Sequence, residues 1–129
     1  MCIRDSLSSV LSPRWVQAIA DAGIMVAIDD FGSGFTSIAS LRDHHIDAMK
    51  LDKAFIAPIG RDDRNDIIAS SMISLATDLE VTVIAEGVEN ESQVTALRRL
   101  GCVFGQGTYF SAPIPPDQLT ARLGRTLSI

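Results

Sequence analysis

Short runs of apolar residues alternate along the chain with segments in which apolar residues recur every three or four positions. The runs predict β-strands at residues 24–29, 48–52, 81–86 and 102–104. The periodic segments predict helices at residues 12–23, 35–44, 65–80, 90–100 and 115–123. Asn90 and Gln93 have the spacing of a helix capping pair, and Gly101 follows the end of that helix. The predicted order is therefore a helix followed by repeated strand–helix units.

The same pattern predicts which side chains are buried. The first strand is apolar from Ile24 to Ile28, so we expect it to be buried on both faces. Helical spacing predicts six core residues on two helices: Ile38, Leu41, Ile68, Met72, Leu75 and Leu79. We expect Cys102 to pack as a small apolar residue.

Alternating strands and helices predict an α/β fold with parallel strands covered by helices. Polar residues at successive strand ends favour a (β/α)8 TIM-like barrel, in which functional groups lie at that edge. A complete barrel takes about 250 residues, so these 129 residues amount to one half. The alternative is a small doubly wound sheet. It is less favoured because Gly32, Ser33 and Gly34 lack the third glycine and acidic partner of a dinucleotide-binding loop.

Length and charge limit the classes of function. A chain of 129 residues makes at most one domain. The formal charge is −5 without a basic run, which argues against binding to duplex nucleic acid. A small phosphorylated ligand remains compatible if metal ions supply positive charge.

Cysteine content and apolar runs indicate the setting of the chain. Two cysteines are too few for a disulfide framework, so we expect a reducing, cytoplasmic setting. No segment reaches the roughly 20 apolar residues of a membrane span, and no signal-peptide pattern is present. Residues 1–6 fit no element and resemble translated adapter sequence, so we expect a non-native leader there and a partial domain at residues 7–129.

Five polar residues lie at the predicted strand ends: Asp29, Asp30, Lys50, Glu86 and Gln106. Two adjacent carboxylates repel each other unless a cation or a shared proton neutralises them. They predict a divalent metal site, and all-oxygen ligands suit Mg²⁺ or Mn²⁺; the alternative is a solvated acidic turn. An unpaired ammonium in an apolar strand is costly. Lys50 is therefore either a structural ion-pair partner or a donor that orients a water or phosphate oxygen.

Four ordered motifs identify a family resemblance. They are AIDDFGSGF at residues 27–35, MKLDK at 49–53, VIAEGVE at 83–89, and the LGC and QG segments at 100–102 and 106–107. Lys50, Glu86 and Gln106 follow Asp29 by 21, 57 and 77 residues. The chain resembles the C-terminal half of an EAL domain, the cyclic di-GMP phosphodiesterase family, whose motifs are DDFGTGYSSL, KIDR, AEGVE and QGY.

The chain departs from the family pattern at a few positions. Conservative replacements are Ser33 and Phe35, and peripheral departures are Thr108, Tyr109 and Ala112. The family's Glu-Ala-Leu motif, an asparagine ligand and a further glutamate ligand lie on earlier strands that this sequence does not contain. We therefore expect the 129 residues alone not to catalyse.

The resemblance implies roles for individual residues. Asp29 would bind the first metal ion and bridge to a second, and Asp30 would bind the second. Lys50 would hold the attacking water, and Glu86 would be a general base or a second-metal ligand. The remaining residues would contact substrate or form and anchor the loop after Asp30: Gln106, Glu89, Gly32, Ser33 and Gly34.

The resemblance also implies an activity and partners. The reaction would be in-line hydrolysis of cyclic di-GMP to linear pGpG with two Mg²⁺ or Mn²⁺ ions. A homodimer through the barrel, and sensor or GGDEF domains elsewhere in the parent protein, are further expectations. The alternatives are a catalytically silent module that binds cyclic di-GMP or a protein, and an inactive truncation.

Overall fold

The computed structural model describes residues 13–32, 38–116 and 118–119. The predicted leader at residues 1–6 and most of the predicted helix at residues 115–123 lie outside these residues. The elements follow one another in this order: α1 Pro13–Asp21, β1 Ala27–Phe31, α2 Ile38–Asp43, β2 Ala48–Leu51, α3 Lys53–Ile56, α4 Asp63–Asp78, β3 Thr82–Glu86, α5 Glu91–Arg99 and β4 Phe104–Gln106.

The strands form one parallel four-stranded sheet in the order β1-β2-β3-β4. Lys50 lies opposite Ile84, and Glu86 lies opposite Gln106. Because all strands run in one direction, their carboxyl ends meet at one edge of the sheet. The predicted α/β fold with parallel strands is confirmed.

The two faces of the sheet differ in burial. Side chains that alternate along β2 and β3 are buried beneath the helices: Met49, Leu51, Val83 and Ala85. Lys50 and Glu86 on the opposite face are only half-buried. Ile24 and Met25 are 51% and 71% exposed and precede β1, which starts at Ala27. The predicted strand is present but begins three residues later, and the expected burial of Ile24 and Met25 is wrong because both residues precede it.

Helix α4 packs on the core through a face that the periodicity did not identify. Its buried residues are Ala69, Ile73 and Ala76. Met72 and Leu75 are partly buried against this core, as predicted, but Ile68 and Leu79 are each 45% exposed. The helix turns its two alanines toward the core, and small side chains allow the close packing of protein interiors.

Smaller differences concern other elements. On α2, Leu41 is buried as predicted, whereas Ile38 is 63% exposed. Strand β4 begins two residues later than predicted, at Phe104. Cys102 precedes it and is only 4% exposed, in agreement with the predicted packing role. None of the described helices combines the length and apolar character needed to cross a membrane.

Caps account for the helices near the carboxyl edge. The predicted capping pair at the start of α5 is confirmed, since Asn90 and Gln93 each accept a hydrogen bond from the other's backbone N–H. Helix α3 lies between the predicted strand at residues 48–52 and the predicted helix at residues 65–80, where no element was predicted. Asp52 caps it by accepting a hydrogen bond from the Ala54 N–H at 2.7 Å. Its four residues are too few to show helical periodicity in the sequence.

The orientation of α4 can be tested with two alanine substitutions. Ile73→Ala empties a buried site and should lower the free energy of unfolding by about 2–5 kcal/mol. Ile68→Ala removes a half-exposed side chain and should cost less than half as much. Urea unfolding of both purified variants measures the difference. A larger loss for Ile68→Ala would contradict the observed orientation.

Candidate metal and catalytic site

The predicted acidic and basic residues come together at the carboxyl edge of the sheet. Asp29 and Asp30 lie on β1, Lys50 on β2 and Glu86 at the end of β3. One carboxylate oxygen each from Asp29, Asp30 and Glu86 lies within 4.8 Å of the others. The side chains are half-buried, unlike those of a fully solvated acidic turn.

An irregularity in β1 brings the two aspartates to one side. Neighbouring residues on a regular strand point to opposite faces. The pairing of β1 with β2 shifts between Ile28 and Phe31, and Asp30 has a φ of 52°. A positive φ in a residue other than glycine costs about 1–3 kcal/mol, although aspartate tolerates it better than most. The bulge thus places two adjacent carboxylates in one space.

Lys50 joins two of the carboxylates. Its Nζ donates to Asp29 Oδ1 at 2.9 Å and forms an ion pair with Glu86 Oε1. Burial acts to lower the pKa of Lys50, but hydrogen bonds and charge attraction from Glu86 and Asp29 outweigh it and raise the pKa above its usual value. Lys50 is therefore a cation at neutral pH. The ion pair, one of the two alternatives for Lys50, is present, and the donor role toward water or phosphate stays a prediction.

The donor set of this cluster fits a hard divalent cation. The three acidic side chains offer oxygen atoms only, which are the ligands that Mg²⁺ and Mn²⁺ prefer. Lys50 carries positive charge between two of them and partly offsets their mutual repulsion. Asp29, Asp30 and Glu86 are thus the described residues that could hold a metal.

The remaining predicted site residues lie around this cluster. Gln106 ends β4, is exposed and lies opposite Glu86. Glu89 is exposed three residues beyond Glu86. Gly32 has a φ of 99°, and a Cβ there would lie 2.3 Å from the ring of Phe55. Ser33 and Gly34 lie outside the described residues, so the predicted loop after Asp30 is described only at its start.

One polar residue near the site has a role that the sequence did not suggest. Gln93 was predicted only as a helix cap, but its amide Nε2 also donates to the Ile56 carbonyl oxygen of α3 at 3.2 Å. That contact depends on where α3 lies, and α3 itself was not predicted. The capping spacing was the only signal for this residue in the sequence.

A partial parallel barrel with a carboxylate–lysine cluster at its carboxyl edge is typical of (β/α)8 barrel domains, whose functional residues lie at the strand ends. A family model described as EAL domain matches residues 4–113. The chain belongs to the EAL domain family.

Individual relatives agree with this assignment. The chain is 40% identical over 100 residues to cyclic di-GMP phosphodiesterase NbdA of Pseudomonas aeruginosa, covering 78% of this chain and 13% of that protein. The crystal structure of the EAL domain of Mycobacterium smegmatis DcpA superposes with a TM-score of 0.85 at 31% identity, covering 92% of this chain and 55% of that one. The Klebsiella pneumoniae BlrP1 complex with manganese and cyclic di-GMP has a TM-score of 0.73 at 33% identity, covering 78% and 26% of the two chains.

These coverages describe a partial domain. The chain spans about an eighth of the curated relative and about half of the solved EAL domain. Its four parallel strands and their helices are part of a TIM barrel, so the predicted barrel is confirmed over the described residues.

The coupling between Lys50 and Glu86 can be measured by a double-mutant cycle. Lys50→Met leaves Asp29 and Glu86 without their cation, and Glu86→Gln leaves Lys50 with Asp29 alone. The double variant should therefore be more stable than the sum of the single losses predicts. Thermal unfolding of the metal-free protein should give a coupling of about 0.5–3 kcal/mol.

Lys53→Met serves as the matched control, because Lys53 is exposed three residues beyond Lys50. It should show little coupling to Glu86→Gln. Additive losses for Lys50→Met and Glu86→Gln would argue that the observed ion pair does not stabilise the fold.

Proposed function

We propose that the protein containing this chain hydrolyses one phosphodiester bond of cyclic di-GMP and releases linear pGpG. The observation that carries this proposal is the cluster of Asp29, Asp30 and Glu86 carboxylates around Lys50 at the carboxyl edge of the sheet. Family membership, the phosphodiesterase NbdA and the BlrP1 complex with cyclic di-GMP support the substrate.

The acidic residues would hold two divalent ions. Asp29 would bind the first ion and bridge to the second, and Asp30 would bind the second. Bound Mg²⁺ or Mn²⁺ supplies activation of water and neutralisation of the leaving oxygen. The manganese in the BlrP1 complex and the all-oxygen donor set support this choice of ions.

The raised pKa of Lys50 supports its role, and the contact with Lys50 supports that of Glu86. Because its pKa is raised, Lys50 keeps its proton at neutral pH and acts as a donor, so it cannot accept the proton of the attacking water. Glu86 contacts Lys50 and is the carboxylate suited to accept that proton or to bind the second ion. Both roles for Glu86 stay open.

Substrate contacts would come from the rim of the site. Gln106 is exposed opposite Glu86 and would contact the substrate or a metal-bound water. Residues 32–34 would form a loop over the site, anchored by Glu89. The net charge of −5 does not favour a polyanion, so Lys50 and the ions would provide the local positive charge.

The described strands supply only part of the barrel. Within the described residues, β1 and β4 each pair with a neighbouring strand on one side. We propose that the remaining strands and metal ligands come from the rest of the domain. A homodimer through the barrel, attached sensor or GGDEF domains, and a cytoplasmic location are part of the same proposal.

The first test is hydrolysis by the full-length protein. With Mn²⁺ it should convert cyclic di-GMP to pGpG, and a chelator should abolish the reaction. Asp29→Asn should lower kcat by about 100-fold or more, because it removes charge where two cations share a ligand. Product chromatography measures both effects.

Asp78→Asn is the control, since Asp78 is exposed on α4 away from the carboxyl edge. It should leave turnover unchanged. Metal-independent turnover would contradict the proposal. Binding of cyclic di-GMP without turnover would instead support the catalytically silent module.

The second test uses the 129 residues alone. They should show no turnover with excess Mn²⁺, because Asp29, Asp30 and Glu86 provide too few ligands for two ions. Open strand edges favour pairing between copies, so the chain should also self-associate. Light scattering measures the mass of the chain in solution, and product chromatography measures turnover. A stable monomer that hydrolyses cyclic di-GMP would show that the other ligands are dispensable.

A further inference from the structure

Gln93 is the one buried polar side chain among the described residues, with 4% of its surface exposed. Its Oε1 accepts hydrogen bonds from the Glu89 N–H at 2.7 Å and the Asn90 N–H at 3.2 Å. Its Nε2 donates to the carbonyl oxygen of Ile56, a fully buried residue of α3. The amide therefore contacts two segments besides its own helix.

These bonds differ in what they connect. The bonds to Oε1 are local, and the one from Asn90 belongs to the capping box of α5. The bond to Ile56 joins residues 37 positions apart. A capping residue needs only its acceptor oxygen, so the donor bond to α3 goes beyond capping.

The two connected segments follow the strands that carry the site. Helix α3 begins three residues after Lys50, and Glu89 lies three residues after Glu86. The segments also touch directly: Gly87 has a φ of 71°, and a Cβ at this position would lie 2.8 Å from Lys53 Cβ. The Gln93 amide thus joins the segment after Lys50 to the segment after Glu86.

On its other side, the segment after Glu86 is fixed by backbone bonds. The Val88 N–H donates to the Gln106 carbonyl oxygen at 3.0 Å, and the Tyr109 N–H donates to the Val88 carbonyl oxygen at 3.1 Å. These bonds tie the segment to β4 and the turn that follows it. The Gln93 bond to Ile56 is the matching tie toward β2 and Lys50.

We propose that Gln93 is a positioning residue, which holds Glu86 at its observed place relative to Lys50 and Asp29 by tying residues 87–90 to α3. The kinetic part rests on the proposed function. Without the tie, residues 87–90 and α3 separate, and the Glu86 carboxylate moves away from its partners. Turnover and metal binding then weaken while substrate binding changes little.

Gln93→Glu distinguishes the bond from Gln93 to Ile56 from the capping bonds that Gln93 accepts at the start of α5. Glutamate keeps oxygen acceptors for the Glu89 and Asn90 N–H groups and suits the third position of a capping box. The ionised carboxylate has no donor, so the bond to Ile56 is lost when the assays are run at a pH at which the new side chain is ionised. Gln93→Ala, which removes all of these bonds, provides a second variant.

Asn90→Ala is the matched control. It removes the other side chain of the same capping box, whose Oδ1 accepts from the Gln93 N–H at 3.1 Å, and leaves the Gln93 amide in place. Loss of such a cap costs about 1 kcal/mol. If Gln93 acted only as a cap, Asn90→Ala and Gln93→Glu would behave alike.

The full-length protein is tested by steady-state kinetics, by manganese binding in paramagnetic resonance and by hydrogen exchange without metal. Gln93→Glu should lower kcat by about 10- to 100-fold with KM within about twofold, as expected for a misplaced reacting group. It should weaken manganese binding and speed exchange at residues 54–57 and 87–88. Asn90→Ala should keep kcat within about twofold of the unsubstituted protein.

Unchanged kcat, manganese binding and exchange in Gln93→Glu would overturn the positioning role, as would equal losses in Asn90→Ala. If the unsubstituted protein does not hydrolyse cyclic di-GMP, the proposed function fails. Exchange in the metal-free protein and manganese binding then still decide whether Gln93 positions Glu86.

Discussion

The carboxyl edge of the sheet depends on the ammonium group of Lys50. Parallel pairing brings Asp29 and Glu86 to the same edge, where half-buried like charges repel each other. Lys50 bonds to both and offsets the repulsion. The desolvation cost of burying a cation is overcome by the two carboxylates, as the raised pKa of Lys50 indicates. Lys50 is therefore part of the charge balance on which the acidic cluster depends.

The bulge in β1 determines what this cluster can do. A regular strand would direct Asp29 and Asp30 to opposite faces, and only one would reach Lys50 and Glu86. The positive φ of Asp30 directs the second carboxylate to the same side as the first, and it introduces local backbone strain. Backbone strain of this kind persists where surrounding contacts hold it. Here Ile28 and Phe31, on either side of the acidic pair, are both buried in the core.

The sequence predicted features that depend on local pattern. Strand order, parallel pairing and the α5 cap follow from periodicity and spacing, and the strand-end positions of Lys50 and Glu86 follow with them. The face of α4 was mispredicted because hydrophobicity ranks Ile68 above Ala69, whereas packing favours the smaller residue. Helix α3 and the tie to Ile56 depend on contacts between distant segments, which no local pattern encodes.

The segments that follow neighbouring strands contact one another closely. Gly107 lies so close to Val88 that a Cβ at Gly107 would fall 2.0 Å from the Val88 carbonyl oxygen, and Gly87 packs on Lys53 in the same way. Each segment after a strand therefore rests on the segment after the neighbouring strand. If the segment after Glu86 moved, the contacting segments after Lys50 and around Gln106 would have to move as well. The buried Gln93 amide on α5, outside the cluster, joins two of these segments.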